Sequence, residues 1–249
     1  MSKIIKKNSL FINSKMYISF FRGVTIGLTL DGLWVAKYVN PYISPLIWQF
    51  IISFIAIHRF YAKFKVASKR VQSFMKYAIV VGIFLEVIGS LILHMYTYRL
   101  ENIPLYVPFG HALIYISAFY LSKEAILRKY SKTLIPLLLI GTIIYSLTWW
   151  HFANDMFGLL CLFIFLVVFY LNKRSRLFML IIFYFVIYIE LIGTATGSWY
   201  WAEITFFGMP SANPPSAIGV VYMLLDSLCL LLYKKFNPHI WKRFKSINK

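Results

Sequence analysis

Residues 75–96 read MKYAIVVGIFLEVIGSLILHMY and residues 177–198 read LFMLIIFYFVIYIELIGTATGS. Each is an almost wholly apolar run, and a helix of about 20 such residues crosses roughly 30 Å of hydrocarbon. Each also holds one carboxylate near its middle, Glu86 and Glu190. An ionised group at that depth costs at least about 2.5–3.5 kcal/mol, so both side chains are expected to face other helices rather than lipid. Working outward, six more stretches have the same character, giving candidate spans at 18–38, 42–60, 75–96, 104–122, 134–152, 155–172, 177–198 and 215–233. The first is the weakest, because Arg22, Asp31 and Lys37 interrupt it. The expected fold is therefore all-α: a polytopic membrane helix bundle of about eight spans forming a single integral membrane domain over 1–249. Spans five and six are separated by two or three residues around Asn154, which predicts a tight antiparallel hairpin.

Composition agrees. The 249 residues are 60% hydrophobic and 14% charged, which excludes an ordinary soluble domain, and 23 Phe, 18 Tyr and 7 Trp exclude a disordered or coiled-coil chain. The formal charge of +18 would suggest nucleic acid in a soluble protein. Here its placement says otherwise. With a cytoplasmic N-terminus, 24 of the 26 basic residues fall on inner segments and only Lys37 and Arg99 lie towards the other side. This is the positive-inside pattern; it supports eight spans with both termini cytoplasmic, and it makes membrane lipids rather than nucleic acid the partner of the basic residues. The basic start followed by an apolar run reads as a retained anchor, since no small-x-small cleavage site follows it, and no lipidation motif is present. The expected location is a cell membrane, multi-pass, of the bacterial inner-membrane kind.

An internal match organises the chemistry. Glu86-Val-Ile-Gly89-Ser90 corresponds to Glu190-Leu-Ile-Gly193-Thr194 at a shift of 104 residues, with Tyr96 and Tyr200 each ten residues after their Glu. After a two-residue insertion Pro104 aligns with Pro210 and Pro108 with Pro214. A shift of four spans predicts a 4+4 parallel repeat, unit one at 16–122 and unit two at 133–233, related by an axis along the membrane normal. Gly at the third position after each Glu is expected to let a neighbouring helix approach, and Ser90 or Thr194 places a hydroxyl one turn from the acid. His94 lies eight residues beyond Glu86, about 80° round the helix, and reaches such a site only through water or another span. Asp31 and Asp226 are further acids at membrane depth, and no Lys or Arg is expected at the depth of these four carboxyls. Hydrocarbon disfavours the ionised form, so at least some of them are expected to be neutral, able to donate hydrogen bonds and protons.

Glu86, Glu190, Asp226 and Asp31 are thus the candidate catalytic residues; a structural interhelical hydrogen bond is the alternative role for each. The outer ends add Tyr96, His111 and Thr194, then Trp199, Tyr200, Trp201 and Asn213, as candidate substrate-binding residues. For the tryptophans the alternative is an interfacial aromatic belt. Prolines after a span impose irregular backbone, which is tolerated near membrane depth where it lines a cavity. A cavity opening to the non-cytoplasmic half, aromatic in its walls and acidic at its floor, is therefore expected. Five scattered His lack ligand spacing, Cys161 and Cys229 sit in apolar runs as space-filling thiols, and phosphate-cradling or nucleophile-elbow motifs are missing, so neither metal nor cofactor is expected.

At Glu190-Leu-Ile-Gly-Thr-Ala-Thr-Gly197-Ser-Trp-Tyr-Trp201 and Gly208-Met-Pro210 the chain resembles the membrane carotenoid-biosynthesis family that includes carotenoid 1,2-hydratases. Around Asn102-Ile-Pro-Leu-Tyr-Val-Pro-Phe-Gly-His111 it also resembles uncharacterised bacterial multi-span proteins. The likeness covers about sixty residues; the first unit has Leu93-His94 where the pattern calls for Thr-Gly. It implies a membrane enzyme of the lyase, hydratase or isomerase type whose hydrophobic small-molecule substrate is a polyisoprenoid or carotenoid-like lipid. A buried carboxyl would protonate a carbon–carbon double bond, with Glu190 the first candidate acid and Glu86 the second. Two other readings stay open: a proton- or ion-coupled transporter of a small solute using the same midplane acids, and a non-catalytic membrane scaffold.

Overall fold

The structure is a computed structural model that describes residues 2–32 and 44–236, with side chains from residue 17 onward. Lys37, His239 and the basic tail after residue 236 lie outside the described residues. A helix occupies each of the eight apolar stretches. In chain order these are α1 (Ser2–Asp31), α2 (Pro45–Val66), α3 (Lys69–Glu86), α4 (Tyr106–Leu121), the short connector α5 (Ala125–Lys129), α6 (Ser131–Ala153), α7 (Met156–Leu171), α8 (Arg176–Thr196) and α9 (Gly219–Phe236). Four helical segments, Pro45–Val66, Lys69–Ile92, Ser131–Ala153 and Lys173–Thr196, are long and apolar enough to cross a membrane; α4 and α7 are apolar but shorter.

Helix ends follow local chemistry. Pro45 opens α2 at a position where its missing N–H costs nothing, and the Ser68 hydroxyl accepts from Val71 N at the start of α3. Asn154 takes the left-handed conformation at φ 51° and Asp155 caps α7, so α6 and α7 form the hairpin expected there. Gly197, at φ 73°, ends α8 in the same region, where a side chain would be strained.

The central helix is α8. Its buried positions run nearly all round, from Met179 to Phe183 and on to Val186 and Gly193, as in a helix surrounded by others. It packs against α9, α4, α1 and α6. A second apolar cluster joins α3, α4 and α9 through Phe74, Met75, Tyr115 and Cys229. The outer faces are apolar too: Phe50 and Phe54 on α2, Leu137 and Ile144 on α6, and Phe163 and Tyr170 on α7 point outward, with Phe54 72% exposed. Exposed apolar side chains of that number suit contact with lipid.

Two short strands close one end of the bundle. β1 (Tyr96–Tyr98) pairs antiparallel with β2 (Trp199–Trp201), Tyr96 opposite Trp201, Thr97 opposite Tyr200 and Tyr98 opposite Trp199. Residues 202–218 then return to α9 as a loop tied down by Asp155. That carboxylate, fully buried, accepts from the backbone N–H of Gly158 (3.0 Å), Ala212 (3.0 Å) and Ser216 (2.7 Å). Pro108 sits in the first turn of α4, whereas Pro214 lies in this loop after a cis peptide bond. The two prolines aligned in sequence thus occupy different backbone settings.

Candidate functional site

Between these elements lies a cavity of about 640 Å³ lined by α1, α2, α3, α4, α8, α9 and the strand pair. Its size is that of a small-molecule site and its walls are mostly apolar. Glu86 and Glu190 both line it.

The two acids are held in parallel ways. Glu86 Oε2 accepts from the Tyr96 and Tyr98 hydroxyls, both at 2.8 Å, and Oε1 meets His111 Nε2 at 2.9 Å. Glu190 Oε2 accepts from the indole N–H of Trp199 at 2.9 Å and of Trp201 at 3.0 Å. Each carboxylate therefore takes the first and third residues of the strand that follows its own helix. Strand alternation explains the choice, since positions 96 and 98, or 199 and 201, share a face. Burial, reinforced by the Glu86 carboxylate, holds the Tyr98 phenol well above its ordinary range, so it stays a donor.

This geometry corrects the counting by ten. Tyr200 stands opposite Thr97, points away from the cavity and is 42% exposed. Trp199, nine residues after Glu190, takes the place that Tyr96 takes ten residues after Glu86. The extra residue is absorbed where α3 opens into a π-helical turn at Val87–Ile92, the way a single insertion is housed inside a helix.

The glycines serve a different purpose from the one expected. A Cβ at Gly193 would overlap the six-membered ring of Trp199, and one at Gly89 would stand 3.0 Å from the Tyr96 ring. Aromatic rings from the following strand, not neighbouring helices, occupy the space in front of them. Gly82 does the same for His111, whose ring lies 3.0 Å from where a Cβ would be. His111 also faces the Tyr222 ring, centroids 4.8 Å apart.

Not every candidate reaches the cavity. Thr194 bonds back to its own helix, its hydroxyl donating to Glu190 O at 2.8 Å. Asn213 is exposed and accepts from Trp201 N at 3.0 Å, steadying the strand rather than lining the space. Asp226 lies on α9 with one oxygen lacking a partner among the described residues, away from the lining. Asp31, fully buried, accepts from the Tyr106 hydroxyl at 2.8 Å and faces Arg99 Nη2 at 3.5 Å. The expectation that no cation shares the depth of the acids is therefore overturned at Asp31. Arg99 comes from the turn after β1, and its backbone N–H donates to Ser198 O at 3.0 Å.

Tyr98 stood out in the sequence among the outer-end residues beside Tyr96, whereas other liners were passed over. Tyr98, Tyr106 and Tyr222 bring phenols to the cavity, and Arg59 and Lys63 of α2 bring two cations. Tyr106 and Tyr222 carried no signal among 18 tyrosines, and the cations were absorbed into the charge bias. The cavity is not confined to the strand-capped end either. Its exposed liners include Gly23 and Ile26 on α1 and Ile55 and Arg59 on α2, so it opens along the α1–α2 face, while Phe207 is exposed at the far end. The aromatic strands form a roof over the acids. Among the described residues no group of three or more His, Cys, Asp or Glu is placed to hold a metal ion. Cys161 and Cys229 are buried free thiols.

No family model matches this chain, and no curated protein or solved structure matches it.

Proposed function

We propose that the chain is an eight-span, 4+4 repeated membrane protein with cytoplasmic termini, and that it is an enzyme acting on a polyisoprenoid-like lipid by acid–base chemistry at Glu190 and Glu86. One observation carries the reading. Glu190 Oε2 accepts from two indole N–H groups, which can only donate, so the proton of the neutral acid belongs on Oε1. Oε1 has no hydrogen-bond partner among the described residues and is not sealed from the cavity that Glu190 lines. Glu86, with both oxygens engaged and an imidazole on Oε1, is suited to the ionised role. Two carboxyls in contrasting surroundings divide acid from base.

Water is the one co-reactant that the chemistry needs. The Glu190 proton passes to one carbon of a substrate double bond, whose π electrons form the C–H bond and leave the adjacent carbon cationic. Aromatic faces of Trp199, Trp201 and Tyr96 stabilise that cation by about 1–2 kcal/mol each. A water oxygen then forms the C–O bond, and its surplus proton returns to the Glu190 carboxylate, directly or through the Glu86–His111 pair. Loss of a neighbouring C–H proton instead of water capture yields the isomerised alkene. An opening between α1 and α2, edged by Gly23, Ile26 and Ile55, lets such a substrate enter from the bilayer.

The test compares lipid extracts of cells with and without the chain, and with Glu190→Gln and Glu86→Gln. A polyisoprenoid species should change with the wild type and revert by at least about 100-fold in rate with Glu190→Gln, the usual scale for a lost general acid. Identical profiles in all four strains overturn the proposal. A second reading, a proton-coupled carrier, is favoured by the exposed liners at both ends of the cavity, Arg59 and Phe207. Solute-dependent proton uptake by purified vesicles, abolished by Glu190→Gln, would establish it instead.

A further inference from the structure

The cavity has a charged end that the acid–base reading does not use. Along α2 the lining positions are Ile52, Ile55, Ala56, Arg59 and Lys63, a stripe with the period of one helix face. It runs about 16 Å from apolar to basic, at 1.5 Å per residue. Lys65, on the same last turn, is exposed and lies over the Tyr61 ring, 4.4 Å from its centroid, where the general bias towards basic inner segments accounts for it. Arg59 and Lys63 differ in facing the cavity, and Lys63 is half-buried there. They are one turn apart, near enough to repel one another, and among the described residues neither has a carboxylate within ion-pair distance. The polar group that Arg59 does meet is neutral: its Nη1 donates to Ser19 Oγ at 2.5 Å. Two like charges and a hydroxyl at the mouth of an apolar cavity lack only the anion that would bridge them.

We propose that Arg59, Lys63 and Ser19 bind the phosphate headgroup of an isoprenoid lipid whose tail extends along the α2 stripe towards Glu190. This rests on the lipid reading above and names its substrate class: a prenyl phosphate rather than a neutral hydrocarbon. The headgroup at the basic mouth sets how deep the chain reaches, and so which double bond meets Glu190 Oε1. A phosphate at the α1–α2 opening also stays at the level of the surrounding lipid headgroups while the tail enters sideways.

The experiment is direct binding to detergent-purified protein, using geranylgeranyl phosphate, geranylgeraniol and inorganic phosphate as probes. Geranylgeranyl phosphate should bind at least tenfold tighter than the alcohol. The paired change Arg59→Gln with Lys63→Gln should remove that preference but leave the alcohol's affinity, and Arg59→Lys with Lys63→Arg should restore it. Glu190→Gln should bind like wild type, separating headgroup capture from chemistry. Gly110 lines the cavity and has nothing within 4 Å of where a Cβ would stand, so Gly110→Phe fills the tail space and should weaken both lipids. Equal binding of phosphate and alcohol would overturn the headgroup claim and leave the lipid cavity standing. Inorganic phosphate binding as tightly as the prenyl phosphate would show a plain anion site, and binding of none of the three would overturn the lipid reading as well.

Discussion

At the scale of single residues, the site depends on close approaches that only glycine permits. Trp199 lies over Gly193 so tightly that even a methyl group would overlap its ring. Gly193→Ala is therefore expected to push the indole off Glu190 and to lower stability by about 1–3 kcal/mol, the scale of core overpacking. Thermal unfolding in detergent measures the second effect, and loss of wild-type tryptophan fluorescence measures the first; an unchanged melting temperature and spectrum would show that the ring has room to move. Asp155 presents the opposite case, a carboxylate with a structural role. Asp155→Ala would orphan the N–H groups of Gly158, Ala212 and Ser216 at about 1–3 kcal/mol each. Proteolysis within 202–218 should then become rapid while Asp155→Asn, which keeps one acceptor oxygen, stays intermediate. The acids themselves were conspicuous in the sequence, because carboxylates in apolar runs are rare; what each one touches was not.

At the scale of elements, the strand pair and the π turn act together. Side chains alternate along a strand, so slipping by one residue exchanges the two faces. The interval from Glu86 to Tyr96 is one residue longer than that from Glu190 to Trp199, and the turn at Val87–Ile92 absorbs the difference. Inserting one more residue at 93–95, beyond the one that this turn absorbs, should shift the strand by one and turn Tyr96 and Tyr98 away from Glu86. The expected result is a protein that folds less stably and loses any Glu86-dependent activity, whereas inserting a residue in the exposed connector around Lys129 should be tolerated. Equal tolerance at both places would mean that the ribbon register is set elsewhere. The recurrence of Glu, Gly and aromatic residues was visible in the sequence. Its phase was not, because a count of ten makes Tyr200 the partner of Tyr96 unless one knows that a helix in between is underwound.

At the scale of the whole molecule, four helices qualify as spans by length and apolar composition, and the outward faces of α2, α6 and α7 are apolar. The proposed eight-span topology makes a separate forecast. Single cysteines at residues 123 and 173 should label only from the cytoplasmic face and one at residue 154 only from the opposite face; the same side for 123 and 154 would refute it. Such a measurement also decides whether Arg59 and Lys63 stand at an inner headgroup layer, as the cavity reading requires. Membrane character, helix positions and the α6–α7 hairpin follow from the sequence by itself, because apolar length, charge bias and a two-residue break are local quantities. The acids also announced themselves locally, through the cost of placing charge in hydrocarbon. Which acid has an oxygen turned to the cavity, which glycine supports which ring, where the cavity opens, and that Arg99 answers Asp31 were decided only by tertiary structure. Each depends on groups tens of residues apart meeting at a few ångströms, and hydrogen-bond direction and close packing have no signature until the chain has brought them together.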